Sequence, residues 1–317
     1  MPVNVLRYES AGRAQWGVIR ADRITPIAGD FKTTGELLGH HDAASLARLD
    51  APTLALADVR LLSPITAHQQ FVCQGANYRQ HMIESGMNPD VKTYNMIFTK
   101  ASSCLAPADV DVIKPRIVQF LDYEIELGLV LKRAINGAVT ITDANLHEYV
   151  AGAVIVNDYS ARDVQIPQMQ FYKGKSFRTF GPVGPWLTLL EAGEIAALKD
   201  LQLTLSVNGE IRQNDSTANL VYGPAETLTE LSSVQDFAAG DLLATGTPAG
   251  CALSIPSPGK QKLGALLPER KKWQIFFMVQ SKRPQYLKPG DVVEASIRSR
   301  DGRIDLGRQR NQIIAGD

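Results

Sequence analysis

Between Leu121 and Leu131 the chain reads Leu-Asp-Tyr-Glu-Ile-Glu-Leu-Gly-Leu-Val-Leu, an apolar run interrupted at alternate positions by two acids. Side chains i and i+2 of a strand share a face, so the pattern predicts a strand with Glu124 and Glu126 on one side. Two readings fit. An exposed edge strand would leave both glutamates solvated. A buried strand would crowd two repelling carboxylates together, and a hard cation is the simplest remedy for that cost.

The pattern on either side of this run predicts mostly short strands. From Val3 to about Ile27, strand-like runs are punctuated by Gly12 and Asp22, as in a small meander. Residues 31–57 carry Leu37, Leu38, Leu46, Leu49 and Leu54 at loosely helical spacing, until Leu61-Leu62-Ser63-Pro64 breaks the pattern. A boundary near residue 65 follows, separating a small N-terminal domain (1–65) from a larger one (66–317). Gln70–Gly75 and Ile97–Lys100 read as strands, and Thr142–Asn145 as the start of a capped short helix ending near Gly152. Ala153–Asp158 reads as a buried strand with an acid at its end. Leu201–Val207 followed by Asn208-Gly209 signals a hairpin, and a last hairpin is expected from Val292 through Asp301-Gly302 to Leu306. Strands and turns outnumber helices, so the fold class expected is mainly β, α+β in kind, with short helices.

Composition narrows the functions. Lys+Arg and Asp+Glu both number 33, for a formal net charge of zero, which gives no basic excess for nucleic acid or an anionic membrane. Cys73, Cys104 and Cys251 are odd in number and widely spaced, suiting a reducing compartment rather than a disulfide framework or zinc site. With no leader-like start and no membrane-length apolar stretch, a cytoplasmic protein is expected.

Four further stretches carry candidate chemistry. On a helical turn His81 and Glu84, at i and i+3, would share a face; a carboxylate beside an imidazole suits a general base, and an ordinary surface pair is the alternative. Asp158 is either a third carboxylate emerging at a strand end or a cap for Ser160–Asp163. Lys173-Gly174-Lys175-Ser176-Phe177 is a glycine-containing loop that lacks phosphate-loop spacing. Thr245–Gly250 is a glycine-rich turn whose amides either face an anion or simply turn the chain.

Taken together, Gly75–Glu84 (GANYRQHMIE), Asp122–Leu127 (DYEIEL), Asn157–Gln165 (NDYSARDVQ), Lys173–Phe177 (KGKSF), Gly240–Gly250 (GDLLATGTPAG) and Leu287–Val292 (LKPGDV) resemble the fumarylacetoacetate hydrolase superfamily in order and spacing. The resemblance implies a β-sandwich roll with a variable N-terminal domain, a homodimer, and one divalent ion per chain, Mg2+ or Mn2+. It implies Glu124, Glu126 and Asp158 as metal ligands, Lys175 as the active-site lysine, His81 and Glu84 as a water-activating pair on a lid, and Arg162, Gln165, Gly246 and Thr247 as substrate contacts. Gln74–Gln80 has no acid in place of the fourth acidic ligand of the larger fumarylacetoacetases, so the chain is closer to smaller acylpyruvate-type members. A second departure is the long connection between Gly250 and Leu287, with Lys260, Lys262, Arg270, Lys271, Lys272, Trp273, Phe276, Phe277, Lys282 and Arg283. It either covers the pocket, builds an oligomer contact or does neither.

The chemistry these residues support is hydrolysis of a carbon–carbon bond in a 2,4-dioxo acid of the acylpyruvate or fumarylpyruvate type. The metal would chelate and polarise the 2-oxo acid, and His81 with Glu84 would activate water. Metal and Lys175 would then stabilise the departing enolate. A Schiff base on Lys175 is the competing role of a buried lysine. Isomerisation of a 2-hydroxydienoate or decarboxylation of oxaloacetate uses the same enolate, and a catalytically inactive binding protein is the non-enzyme alternative.

Overall fold

The computed structural model describes residues 1–256, 259, 261, 264 and 266–317; Lys260 and Lys262 lie outside the described residues. The backbone is rich in strands with short helices, as the alternating pattern predicts. Among the described residues one 11-stranded sheet runs, from one edge to the other, through Leu54–Ala55, Arg23–Pro26, Arg13–Arg20, Val3–Ser10, Leu187–Leu189, Val150–Asn157, Ile125–Leu131, Leu242–Ala244, Phe71–Gly75 and Met96–Lys100, with Arg60–Leu62 also paired to Val3–Ser10. A 5-stranded sheet of Glu210–Ser216, Leu201–Val207, Val292–Ser299, Asp305–Ala315 and Val112–Lys114 packs against it.

The strand period assigns the two faces of Ile125–Leu131. Ile125, Leu127, Leu129 and Leu131 enter one core with Leu203, Leu205, Ala295 and Ile297 of the smaller sheet. Val130, with Val154 and Val156 of the neighbouring strand, enters a second core beneath Leu37 and Leu46 of two short helices. Glu124 and Glu126 follow the parity of Val130, so they belong to this second face.

Three local readings change. The helical stretch expected over residues 31–57 is two short helices, Thr34–His40 and Ala43–Ala47, because Asp42 caps a new helix one turn after Gly39. The helix expected from Thr142 to Gly152 is only a turn at Leu146–Glu148, and Val150 already begins the strand. Gly152 serves the sheet rather than a helix end: a Cβ there would meet the Thr188 carbonyl oxygen at 2.0 Å, so only glycine admits the neighbouring strand. The Lys173–Phe177 loop is in part a helical turn, Phe171–Lys175, which directs Lys175 inward.

Candidate active site and metal centre

Register builds the acidic cluster. Ile125 pairs with Asn157, so Glu124 and Asp158 face each other just beyond the paired residues, joined by Asp158 N–H donating to Glu124 O at 2.8 Å. Glu126 pairs with Val156, one step along the same face. On its other side Ile125–Leu131 pairs with Leu242–Ala244, and the turn that follows brings the Gly246 N–H to the Glu126 carboxylate at 2.9 Å. One oxygen from each of Glu124, Glu126 and Asp158 lies within 4.8 Å of the others, all buried. Asp158 caps no helix, since the short helix Arg162–Gln165 starts after Ala161 without a side-chain cap.

The bases around this cluster are distributed unevenly. Lys175 Nζ donates to Glu124 at 2.6 Å, Asp158 at 2.5 Å and Ser160 Oγ at 2.8 Å. Burial alone would lower the Lys175 pKa, but Asp158 and Glu124 outweigh it and raise it, so Lys175 is held as a cation and is unsuited to Schiff-base chemistry. Arg162 spends its guanidinium on Asp122 at 2.8 Å, Gln165 at 2.8 Å and Glu124 at 2.5 Å. Burial pushes against ionisation of Glu124, yet Arg162 and Lys175 prevail and hold its carboxyl down at about 2. Glu126 has the opposite fate. Among the described residues it has no cation in contact, and burial, then Asp158 and Glu124, push it well above the carboxylate range. A buried, all-oxygen site whose most crowded carboxylate lacks a counter-charge fits a hard divalent cation.

Two groups in this network have no role assigned from the sequence, although Asp122 opens the DYEIEL stretch. Lys100, at the end of Met96–Lys100, donates to Asp158 Oδ1 at 2.5 Å and to the Phe180 carbonyl at 2.7 Å. Asp122 anchors Arg162 and also accepts the Ala252 and Leu253 amides, at 2.7 and 3.0 Å. The signal for Lys100 was faint: a lysine closing an apolar strand at the position paired with Phe71.

His81 and Glu84 lie on the short helix Arg79–Glu84, above the cluster. They line a cavity of about 340 Å³ with Ser85, Gly250, Cys251, Leu253, Ser254, Ile255 and Arg283. Cys251 joins this cavity to the acids, its Sγ being 4.0 Å from Glu124 Oε1. The expected His81–Glu84 hydrogen bond is not formed: Glu84 accepts from Gln80 at 3.4 Å, and His81 Nδ1 is buried without a partner. Burial lowers the His81 pKa, only partly offset by Glu124, so the imidazole is neutral at pH 7. Burial, Asp122 and Glu124 push the Cys251 thiol well up, which leaves it unactivated. Arg162 and Gln165 back Glu124 rather than lining the cavity, and Thr247 Oγ1 donates to Ile125 O while accepting from Gln213 at 2.9 Å. A separate cleft of about 260 Å³, walled by Glu194, Asp200, Arg300, Asp301 and Arg303, holds charges already matched, with Arg303 on Asp301 and Arg300 on Asp200.

The family model for the fumarylacetoacetate (FAA) hydrolase C-terminal region matches residues 70–314, the span that supplies every residue of this site. The chain belongs to the fumarylacetoacetate hydrolase family. A second model, Rv2993c-like N-terminal, matches residues 5–64. A Burkholderia multivorans relative is 34% identical over 273 residues, covering 84% of this chain and 94% of its own. The oxaloacetate tautomerase YisK of Bacillus subtilis is 35% identical over 207 residues, 64% of this chain and 67% of that protein. The solved fumarylacetoacetate hydrolase of Exiguobacterium antarcticum superposes with a TM-score of 0.75 at 29% identity, over 99% of this chain and 100% of that one. A 2-hydroxyhepta-2,4-diene-1,7-dioate isomerase of Mycobacterium marinum, 23% identical, shares the fold with a TM-score of 0.69 over 99% and 98% of the two chains. Fumarylacetoacetate hydrolase family members are enzymes, including hydrolases, isomerases and decarboxylases, and typically use a divalent metal. Among the described residues, no helix of this family member is long and apolar enough to cross a membrane.

Proposed function

We propose that the chain is a divalent-metal-dependent hydrolase that cleaves a carbon–carbon bond of a 2,4-dioxo acid, with Glu124, Glu126 and Asp158 holding Mg2+ or Mn2+. The observation that carries this reading is the place of His81: a partly buried imidazole, its pKa lowered by burial, on the wall of the cavity that Cys251 connects to Glu124. A bound divalent ion would supply a chelating template and Lewis acid for a 2-oxo carboxylate. His81 accepts a proton from a water molecule in the cavity, and the water oxygen attacks the distal carbonyl. The carbon–carbon bond then breaks, its electron pair passing to a pyruvate-like enolate whose carbon takes up the proton that His81 removed from the water, which returns His81 to its starting form. Lys175 Nζ and Arg162 hold Glu124 and Asp158 in place through this charge movement, and Lys175 adds a fixed positive charge beside the developing enolate. Glu84 supports His81 through its charge, Gln165 orients Arg162, and Gly246 and Thr247 fix the turn beside Glu126.

A second reading is favoured by the likeness to the oxaloacetate tautomerase of Bacillus subtilis: proton transfer between keto and enol forms, without an attacking water. Assaying acylpyruvates, fumarylpyruvate, oxaloacetate and a 2-hydroxydienoate side by side with Mg2+ separates the two. Cleavage of a dioxo acid, lost in His81→Ala, is expected; tautomerisation, isomerisation or decarboxylation alone would overturn the hydrolase reading. A homodimer, a cytoplasmic location and the division into units 1–65 and 66–317 belong to the same proposal. The first rests on the family, the second on the three widely spaced cysteines and the last on the break at Ser63-Pro64.

A further inference from the structure

Counting charge in the buried cluster raises a question about the substrate. With every group ionised, as metal ligation requires of Glu126, the four buried acids Asp122, Glu124, Glu126 and Asp158 against the three buried bases Lys100, Arg162 and Lys175 leave a net of one negative. A divalent ion turns this to one positive, which a single 2-oxo carboxylate balances. A second carboxylate on the substrate would therefore need a cation of its own, away from the cluster.

The buried bases cannot supply it. Lys175 is bonded to three acceptors, Lys100 to two, and Arg162 to Asp122, Glu124 and Gln165. Arg283 is differently placed. It lines the cavity, is partly buried, and among the described residues its side chain makes one hydrogen bond, Nε to the Ala252 carbonyl at 2.6 Å. Among the described residues neither terminal amino group of the guanidinium is bonded, and their planar geometry suits a carboxylate. The segment carrying Arg283 is fixed as well: Gln280 donates to the Ser254 carbonyl at 2.8 Å and accepts from Tyr286 at 2.7 Å, while Arg283 N–H reaches Gln280 O at 3.0 Å. Glu84 also lines the cavity, but its charge acts on His81, whereas that of Arg283 acts on Tyr123 and Tyr286. The two are not ion-paired; Glu84 accepts from Gln80 instead.

We propose, building on the 2-oxo acid reading above, that Arg283 recognises a second carboxylate at the far end of the substrate. The substrate class is then a 2-oxo diacid, and the long connection after Gly250 contributes a specificity residue rather than only a cover. A charge-assisted hydrogen bond of this kind is worth about 10- to 100-fold in affinity.

The test has two arms. In the first, calorimetry with Mg2+ measures binding of two unreactive ligands of equal length, 2-oxoglutarate and 2-oxopentanoate, to the wild-type protein. 2-Oxoglutarate is expected to bind about 10- to 100-fold tighter, with the preference lost in Arg283→Gln and partly kept in Arg283→Lys. Equal binding of the two by the wild type, or an unchanged preference in Arg283→Gln, would overturn the proposal. In the second arm, kcat/KM is compared for fumarylpyruvate and an acylpyruvate of the same length ending in a methyl group, and the diacid-to-monoacid ratio is expected to fall by the same factor in Arg283→Gln. If the wild type cleaves neither compound yet binds 2-oxoglutarate through Arg283, the reaction class fails and the diacid site stands. If it cleaves the methyl-ended compound as well as the diacid, the reaction class stands and the diacid site falls.

Discussion

The two sides of the cavity are built in opposite ways. Beneath it, Ile125–Leu131 and Val150–Asn157 are buried along their whole length, and the Arg162 and Lys175 side chains hold Glu124 and Asp158 through short bonds. Above it, His81 sits on a six-residue helix with an unpartnered Nδ1, and Glu84 is exposed. The floor provides fixed charge and geometry; the rim provides the groups that move protons and select ligands. A buried charge network tolerates no loss of a partner, whereas a rim residue can be lost at little expense to the fold.

Breaking the floor should have the largest effect. Arg162→Leu leaves Asp122 and Glu124 without their shared cation, and a loss of about 3–5 kcal/mol of stability is expected in denaturant unfolding. A loss below about 1 kcal/mol would mean that the network is not a structural unit. At the rim, His81→Ala should lower kcat by about 10²- to 10⁴-fold while leaving the unfolding midpoint and the metal affinity nearly unchanged. In the wild type, burial lowers the His81 pKa, so the base form persists as the solution is acidified; the acidic limb of kcat/KM should fall below pH 6.5. A limb above that value would point to another base. The comparison is sharpened by Gly128→Ala, because the added Cβ would lie 2.7 Å from Cγ2 of both Val154 and Val156 and 2.9 Å from Leu242 Cδ1. About 1–3 kcal/mol of destabilisation should follow, seen as a lower melting temperature with no change in the pH profile.

Much of the floor was legible in the chain because a strand has a strict period. Glu124 and Glu126 share parity with Val130, and that parity survives although the regular pairing begins only at Ile125. Asp158 was legible as an acid at the end of an apolar run. Lys100 and Asp122 were not singled out, since their roles depend on which strands become neighbours: Lys100 reaches Asp158 only because Met96–Lys100 pairs with Phe71–Gly75 at the sheet edge. The glycine turn at Thr245–Gly250 leaves an anion site and a plain turn both open in the sequence, and the group its Gly246 amide meets is the protein's own Glu126. Gly152 misled for a related reason, because a close approach between strands and a helix stop both call for glycine. The long connection was visible as a departure, but the placement of Arg283 on the cavity wall depends on Gln280, Ser254 and Tyr286 meeting in space.

The decisive experiment is a calorimetric titration of the chelator-treated protein with Mn2+ and Mg2+, run in parallel on Glu126→Gln. One ion per chain is expected for the wild type, with binding lost or weakened more than about 100-fold in the variant, since a neutral amide replaces the carboxylate that has no cation against it among the described residues. No uptake of either ion by the wild type, or equal affinity in Glu126→Gln, would contradict a metal centre at Glu124, Glu126 and Asp158.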